Sequence, residues 1–227
     1  MARRDAGGLI FGAFMRALAC LWLLAAPLWA GEWQPLSDCR LRDSPFNDGD
    51  SFHVTHGGKE YIFRLCYVDT PETRALRAYT ERTTAQARYF GIKKSTLFKI
   101  AAQASAFTRQ TLNRPFTVWT DWTDARGNSQ QPRFFGIIQT SGQDLAELLV
   151  ARGFSRVYGY SPDRPDGTPA AGYRAKLKQL EVRAFAEKAG AWAESKRKKP
   201  PKFSRSSRAH ASPAAPSPQA TPHVPAI

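Results

Sequence analysis

Two short acidic runs, Asp48-Gly49-Asp50 and Asp69-Thr70-Pro71-Glu72, hold the carboxylates best placed for chemistry in this 227-residue chain. Carboxylates crowded together repel one another unless a cation joins them, and a hard divalent ion with oxygen ligands is the natural partner. Pro71 fixes its own φ, so the turn it makes projects Glu72 into the same opening as Asp69. Asp48 has a plainer role, because Asn-Asp-Gly is an ordinary turn sequence. Arg64 falls at an even offset from Val68, where a buried strand wants an apolar residue. A guanidinium there needs an anion, either a fixed carboxylate such as Asp50 or Glu72 or a phosphate. Arg133 follows a polar loop and is a weaker signal of the same kind.

These groups meet only if the chain between them folds back on itself. Residues 51–56 alternate Phe52 and Val54 with polar partners, Gly57-Gly58 supplies a tight turn, and 61–68 is a mostly apolar run. That pattern predicts a hairpin whose outer ends lie side by side, with Asp50 next to Asp69. Further along, 80–90 and 95–112 read as helices parted at Gly91, and Ile100, Ala104, Phe107 and Leu112 form the second one's apolar stripe. Strands are predicted at 116–122, 133–140 and 154–158, and helices at 145–152 and 173–188. Strands lead and helices intervene without a βαβ rhythm. The predicted fold is therefore α+β and mainly β, a small antiparallel barrel with packed helices, and not a doubly wound sheet.

Both ends of the chain read differently from the middle. Arg3, Arg4 and Arg16 precede an apolar run from 17 to 28 and then Ala30-Gly31, the layout of a secretory signal over residues 1–30. An uncleaved anchor is the alternative, although the run is shorter than the ~20 residues a membrane span takes. Residues 195–227 hold seven of the basic residues and no acidic one, then pass into Ser, Ala and Pro, which predicts a disordered basic tail. Half of the net charge of +14 sits in that tail. Such an excess points to polyanionic partners and excludes an acidic solvating chain. Residues 31–194 suffice for one well-buried domain. Cys39 and Cys66 remain after signal removal, an even pair that either bridges or stays as buried thiols. Neither they nor the four scattered histidines have zinc-ligand spacing.

Taken together, Asp48-Gly49-Asp50, Phe63-Arg64-Leu65, Val68-Asp69-Thr70-Pro71-Glu72-Thr73, Ala104-Ser105-Ala106-Phe107-Thr108, Arg133, Leu149-Val150-Ala151-Arg152-Gly153 and Trp192 resemble the staphylococcal nuclease (thermonuclease) family. They run in the family's order over most of 47–193. The resemblance implies a five-stranded barrel of the oligonucleotide-binding type with three or more helices, its mouth binding Ca²⁺ and a phosphodiester. It further implies Asp50 and Asp69 as carboxylate ligands, Thr70 as a carbonyl ligand, Glu72 as the residue that positions or deprotonates water, and Arg64 and Arg133 as phosphate grips. Cleavage of DNA and RNA to 3′-phosphate ends completes what it implies. The signal layout adds the expectation of a secreted or periplasmic protein without integral membrane contact once the signal is removed, and a monomer is expected.

The sequence departs from the family in places. Gln130-Gln131-Pro132 stands where Lys-Tyr-Gly is usual, so one substrate-side Tyr is absent, and Tyr158 or Tyr160 matches the other only with a gap. The segment 74–103 is longer than in the staphylococcal enzyme; its helix 80–90 either walls the cleft, contacts nucleic acid through Arg82 and Arg88, or packs. The rival reading is a noncatalytic oligonucleotide-binding module, and a pure binder has no need of Glu72 beside phosphate.

Overall fold

A computed structural model describes residues 32–74, 79–127 and 131–202. The signal reading of 1–30 and most of the basic tail lie outside those residues. Five strands close a barrel in the order β3, β2, β1, β5, β6: β1 Gln34–Leu41, β2 Ser51–His56, β3 Lys59–Leu65, β5 Phe116–Thr120 and β6 Phe134–Thr140. The two-residue strand β4 Val68–Asp69 pairs with β8 Arg156–Val157, and β7 Gln143–Asp144 extends β6. The helices are α1 Thr80–Phe90, α2 Lys94–Thr111, α3 Leu145–Ala151 and α4 Ala170–Ala186, followed by a 3-10 turn at Gly190–Glu194. Among the described residues, no helix is long and apolar enough to cross a membrane.

The oligonucleotide-binding-type barrel is present, with one correction. Its closing pair, β3 with β6, runs parallel, Phe63 facing Phe134 and Leu65 facing Gly136, so the barrel is mixed and not antiparallel throughout. Phe52, Val54, Phe63, Leu65, Val118 and Ile138 fill it, each nearly or fully removed from water. β1, absent from the predicted strands, pairs with both β2 and β5. A shift of register between Leu36 and Cys39, with Asp38 at φ 56°, breaks the alternation by which a strand is recognised. The run 61–68 is likewise two strands, because Tyr67 turns the chain at φ 69°.

Asp144 caps α3 by accepting the Ala146 amide at 2.8 Å. A second, smaller core of Ala87, Phe90, Leu97, Ile100, Ala184 and Trp192 joins α1, α2 and α4 to the 3-10 turn. Ser195, Lys196 and Arg197, read from sequence as the start of the tail, instead return to the end of α1: Ser195 Oγ donates to the Phe90 carbonyl at 2.6 Å and the Lys196 amide to Gly91 at 2.9 Å. Cys39 and Cys66 are separate buried thiols, so no bridge links them. Burial pushes the Cys39 thiol up to about 11, which makes it a poor nucleophile.

Candidate active site

The β2–β3 hairpin sets the first part of the site. Ser51 pairs with Arg64 and the Leu65 amide donates to the Asp50 carbonyl at 2.8 Å, so the acidic end of β2 lies against the end of β3. Gly49 is required here for space: a Cβ on it would stand 2.8 Å from the Thr70 methyl and 3.0 Å from Ala104. Asp48 is the turn residue, its Oδ1 accepting the amides of Asp50 at 3.1 Å and Ser51 at 2.6 Å. Burial and the neighbouring Asp50 push its carboxyl well above the usual range.

Asp50 and Asp69 are both 1% exposed. One nitrogen, Arg64 Nη2, reaches both, Asp50 Oδ2 at 3.1 Å and Asp69 Oδ1 at 3.0 Å. Asp69 is further held by Arg82 and, directly across the β4–β8 pair, by Arg156 Nε at 2.7 Å. Burial works against its charged form, but Arg82, Arg156 and Arg64 together with the Gln86 amide outweigh it and hold the carboxyl down at about 2. Glu72 accepts from Arg82 Nη1 at 2.8 Å. There burial prevails over Arg82, and Asp50 and Asp69 add to it, so the Glu72 carboxyl is raised.

Arg133 is held differently. Its Nε donates to the Ala125 carbonyl at 2.8 Å, Nη2 to the Arg126 carbonyl at 3.1 Å and Nη1 to Ser51 Oγ at 3.3 Å. Among the described residues it has no carboxylate partner, and burial and the nearby Arg64 lower its pKa. A preorganised guanidinium in that setting gains most from an external anion.

Arg64, Asp69, Arg82, Arg133 and Arg156 line a cleft of about 460 Å³ together with Val68, Asp124, Phe135, Tyr158 and Tyr160, while Asp50 and Glu72 are outside its lining and pair with Arg64 and Arg82. Tyr158 is half exposed, with the Arg156 guanidinium 4.2 Å from its ring centre. Tyr160 is more of a wall residue, its ring 4.5 Å from that of Phe135 and its hydroxyl donating to Asp121 at 3.1 Å. Four guanidinium groups (Arg64, Arg82, Arg133, Arg156) thus share the lining with two carboxylates (Asp69, Asp124), and the charge left over in the cleft is positive. Arg156 and Gln86 were not read from the sequence as site residues; Arg156, a charge beside Val157 in a short strand, carried the same signal as Arg64.

The donor chemistry of the two buried carboxylates fits a hard divalent cation, since Asp50 and Asp69 converge on the point now served by a single nitrogen of Arg64. The Thr70 carbonyl fits less fully: one lone pair takes the Gln86 Nε2 proton at 2.8 Å, while the Thr70 hydroxyl donates to Asp50 at 3.0 Å. Among the described residues, no three His, Cys, Asp or Glu side chains form a group able to hold an ion by themselves. Water or substrate oxygens would have to complete the shell.

A mixed five-stranded barrel of oligonucleotide-binding type, with arginines arrayed over buried carboxylates at its mouth, defines a class of nucleases and nucleic-acid-binding proteins. Residues 62–194, more than half of the chain, match the family described as staphylococcal nuclease homologue, and the chain belongs to that family.

Proposed function

We propose that the protein is an exported, calcium-dependent nuclease that hydrolyses phosphodiester bonds of DNA and RNA. The observation that carries this reading is the company of Asp69: this buried carboxylate shares a cleft with Arg133, which has no carboxylate partner among the described residues, and Arg82 of the same cleft ties Asp69 to Glu72. A module that only bound nucleic acid would need the arginines and not the carboxylates beneath them. Export, to the medium or the periplasm, is supported by the signal layout of residues 1–30.

In this mechanism Arg64 and Arg133 grip the scissile phosphate, and Arg133 is already fixed by the Ala125 and Arg126 carbonyls before substrate arrives. Charge building on phosphate oxygens is best met by donors held in place beforehand. Glu72 orients a water and accepts its proton as the water oxygen bonds to phosphorus. The bond to the 5′ oxygen breaks, the leaving oxygen takes a proton from solvent, and a 3′-phosphate end remains. Asp50 and Asp69, with the second lone pair of the Thr70 carbonyl, would hold Ca²⁺, which when bound supplies charge neutralisation at a phosphate oxygen. Tyr158 offers an exposed ring for a neighbouring base.

Digestion of single-stranded DNA and RNA with Ca²⁺ and with chelator tests the reading. Cleavage to 3′-phosphate ends that stops in chelator and in Asp69→Ala supports it. Undiminished cleavage in chelator overturns the calcium requirement, and binding without cleavage establishes the module instead.

A further inference from the structure

The carboxylates of the site stand at the ends of the β2–β3 hairpin and in the segment that follows it, yet the turn that carries two of them is held by a side chain from a helix. Gln86, on α1, is 0% exposed and commits both its donors and one acceptor lone pair to residues 69–72. Its Nε2 donates to Asp69 Oδ2 at 2.9 Å and to the Thr70 carbonyl at 2.8 Å. Its Oε1 accepts the Glu72 amide at 3.3 Å. Two acceptors on one side and a donor on the other admit a single orientation of the amide. Pro71 has no N–H, so the Glu72 amide is the first donor the turn offers after Thr70, and among the described residues it has no other acceptor.

A buried glutamine is usually a satisfied core amide with no bearing on chemistry. Gln86 differs in whom it satisfies, for its partners are the residue beneath three arginines and the backbone that bears Glu72. Its own position is fixed from the far side. One turn on, Tyr89 donates to Glu181 of α4 at 2.5 Å, Lys178 donates to the Tyr89 hydroxyl at 2.7 Å, and Phe90 packs 4.8 Å from Trp192.

We infer that Gln86 is a positioning residue for phosphodiester hydrolysis, and that α1 is thereby a working part of the site and not a packed addition. This rests on the nuclease reading above. Gln86 sets the Asp69 carboxylate and the Glu72 backbone at a fixed separation. No other amino acid has both donors and acceptor at this reach: glutamate would oppose oxygen to oxygen at Asp69, and methionine would fill the space without binding anything.

The test compares wild type with Gln86→Met, a near match in volume. Displacement of reacting groups by ~1 Å can cost about 100-fold in rate, so kcat on single-stranded DNA should fall at least 30-fold. KM should move less than about threefold, because Arg64 and Arg133 are untouched. In the metal-free protein, NMR hydrogen exchange at the Glu72 amide should accelerate about tenfold while amides of β5 and β6 keep their protection. Unchanged kcat with unchanged Glu72 exchange overturns the inference. So does a protection loss spread evenly over the barrel with activity falling only in proportion to folded protein. If wild type does not cleave, the nuclease reading fails, and the exchange at Glu72 still decides whether Gln86 holds the turn.

Discussion

Arg82 Nη1 lies 2.8 Å from Oε1 of Glu72, so the carboxylate proposed to handle water is paired with a cation of the protein itself. The same guanidinium also contacts Asp69. Arg82 therefore opposes a divalent ion at the carboxylates while favouring a phosphate above them. Replacing it should move the two affinities in opposite directions. The Arg82 side chain is 32% exposed, which screens its charge. Arg82→Ala should bind Ca²⁺ about tenfold tighter, ~1.4 kcal/mol, by calorimetry, and raise KM for single-stranded DNA. Weaker Ca²⁺ binding would mean that Arg82 supports the ion site.

Arg64 uses one nitrogen on Asp50 and Asp69 and leaves the rest of its fork toward the cleft. A lysine has one compact charge and cannot serve both. Arg64→Lys should lose about 100-fold or more in kcat, close to Arg64→Ala. Turnover at wild-type level in the Lys variant would show that the arginine is structural.

Glu72→Gln keeps the size of the side chain and a partner for Arg82 while removing the proton acceptor. Ca²⁺ and oligonucleotide binding should persist and kcat should fall by about 100-fold or more. Loss of Ca²⁺ binding in calorimetry would place Glu72 among the ion's ligands.

His53 anchors the turn that leads into Asp50, its amide donating to Asn47 Oδ1 at 2.9 Å and its Nδ1 lying 2.9 Å from the same oxygen. Burial, then Arg42, lower its pKa. The unfolded chain, titrating near ~6.5, takes the proton first as pH falls, so this stability is present above that pH and lost below it. Thermal unfolding should show Tm declining from pH 7 to 5 more steeply in wild type than in His53→Gln. Equal slopes would remove His53 from the account.

Gly153 ends α3 at φ 66°, and a methyl on it would overlap the Ala189 carbonyl. The Ala191 amide donates to the Gly153 carbonyl at 3.0 Å, so neither backbone can retreat. Gly153→Ala should cost ~2 kcal/mol or more in urea unfolding. A change below ~0.5 kcal/mol would show that the junction is plastic.

The hairpin and its acidic ends were legible because period-two alternation and a Gly-Gly turn are local properties. Strand direction is not local: nothing in the pattern of 134–140 distinguishes a parallel neighbour from an antiparallel one, so the β3–β6 closure escaped. The alternation of β1 is interrupted at Asp38, which hid a whole strand. On α1, Arg82 and Gln86 stand one turn apart, which in sequence looks like a solvated face. Only the fold shows that this face lies against Asp69 and Glu72. Arg64 was found because a charge in an apolar strand is conspicuous. Gln86 was missed because a polar residue on a helix is not.

The parallel closure of the barrel also governs when the nascent chain acquires a site. The β2–β3 hairpin joins neighbours and can form as soon as it emerges, whereas β3 waits for Phe134 to Gly136, and Asp69 meets Arg156 only across 87 residues. Distant pairings are slow because loop-closure entropy precedes the contacts that repay it. A growing polypeptide that has not yet delivered β6 and β8 carries Asp50, Arg64, Asp69 and Glu72 on an open sheet, without Arg133 fixed or Arg156 in place. Until then, the nucleic acid around the ribosome meets these side chains without the geometry that the proposed nuclease activity requires.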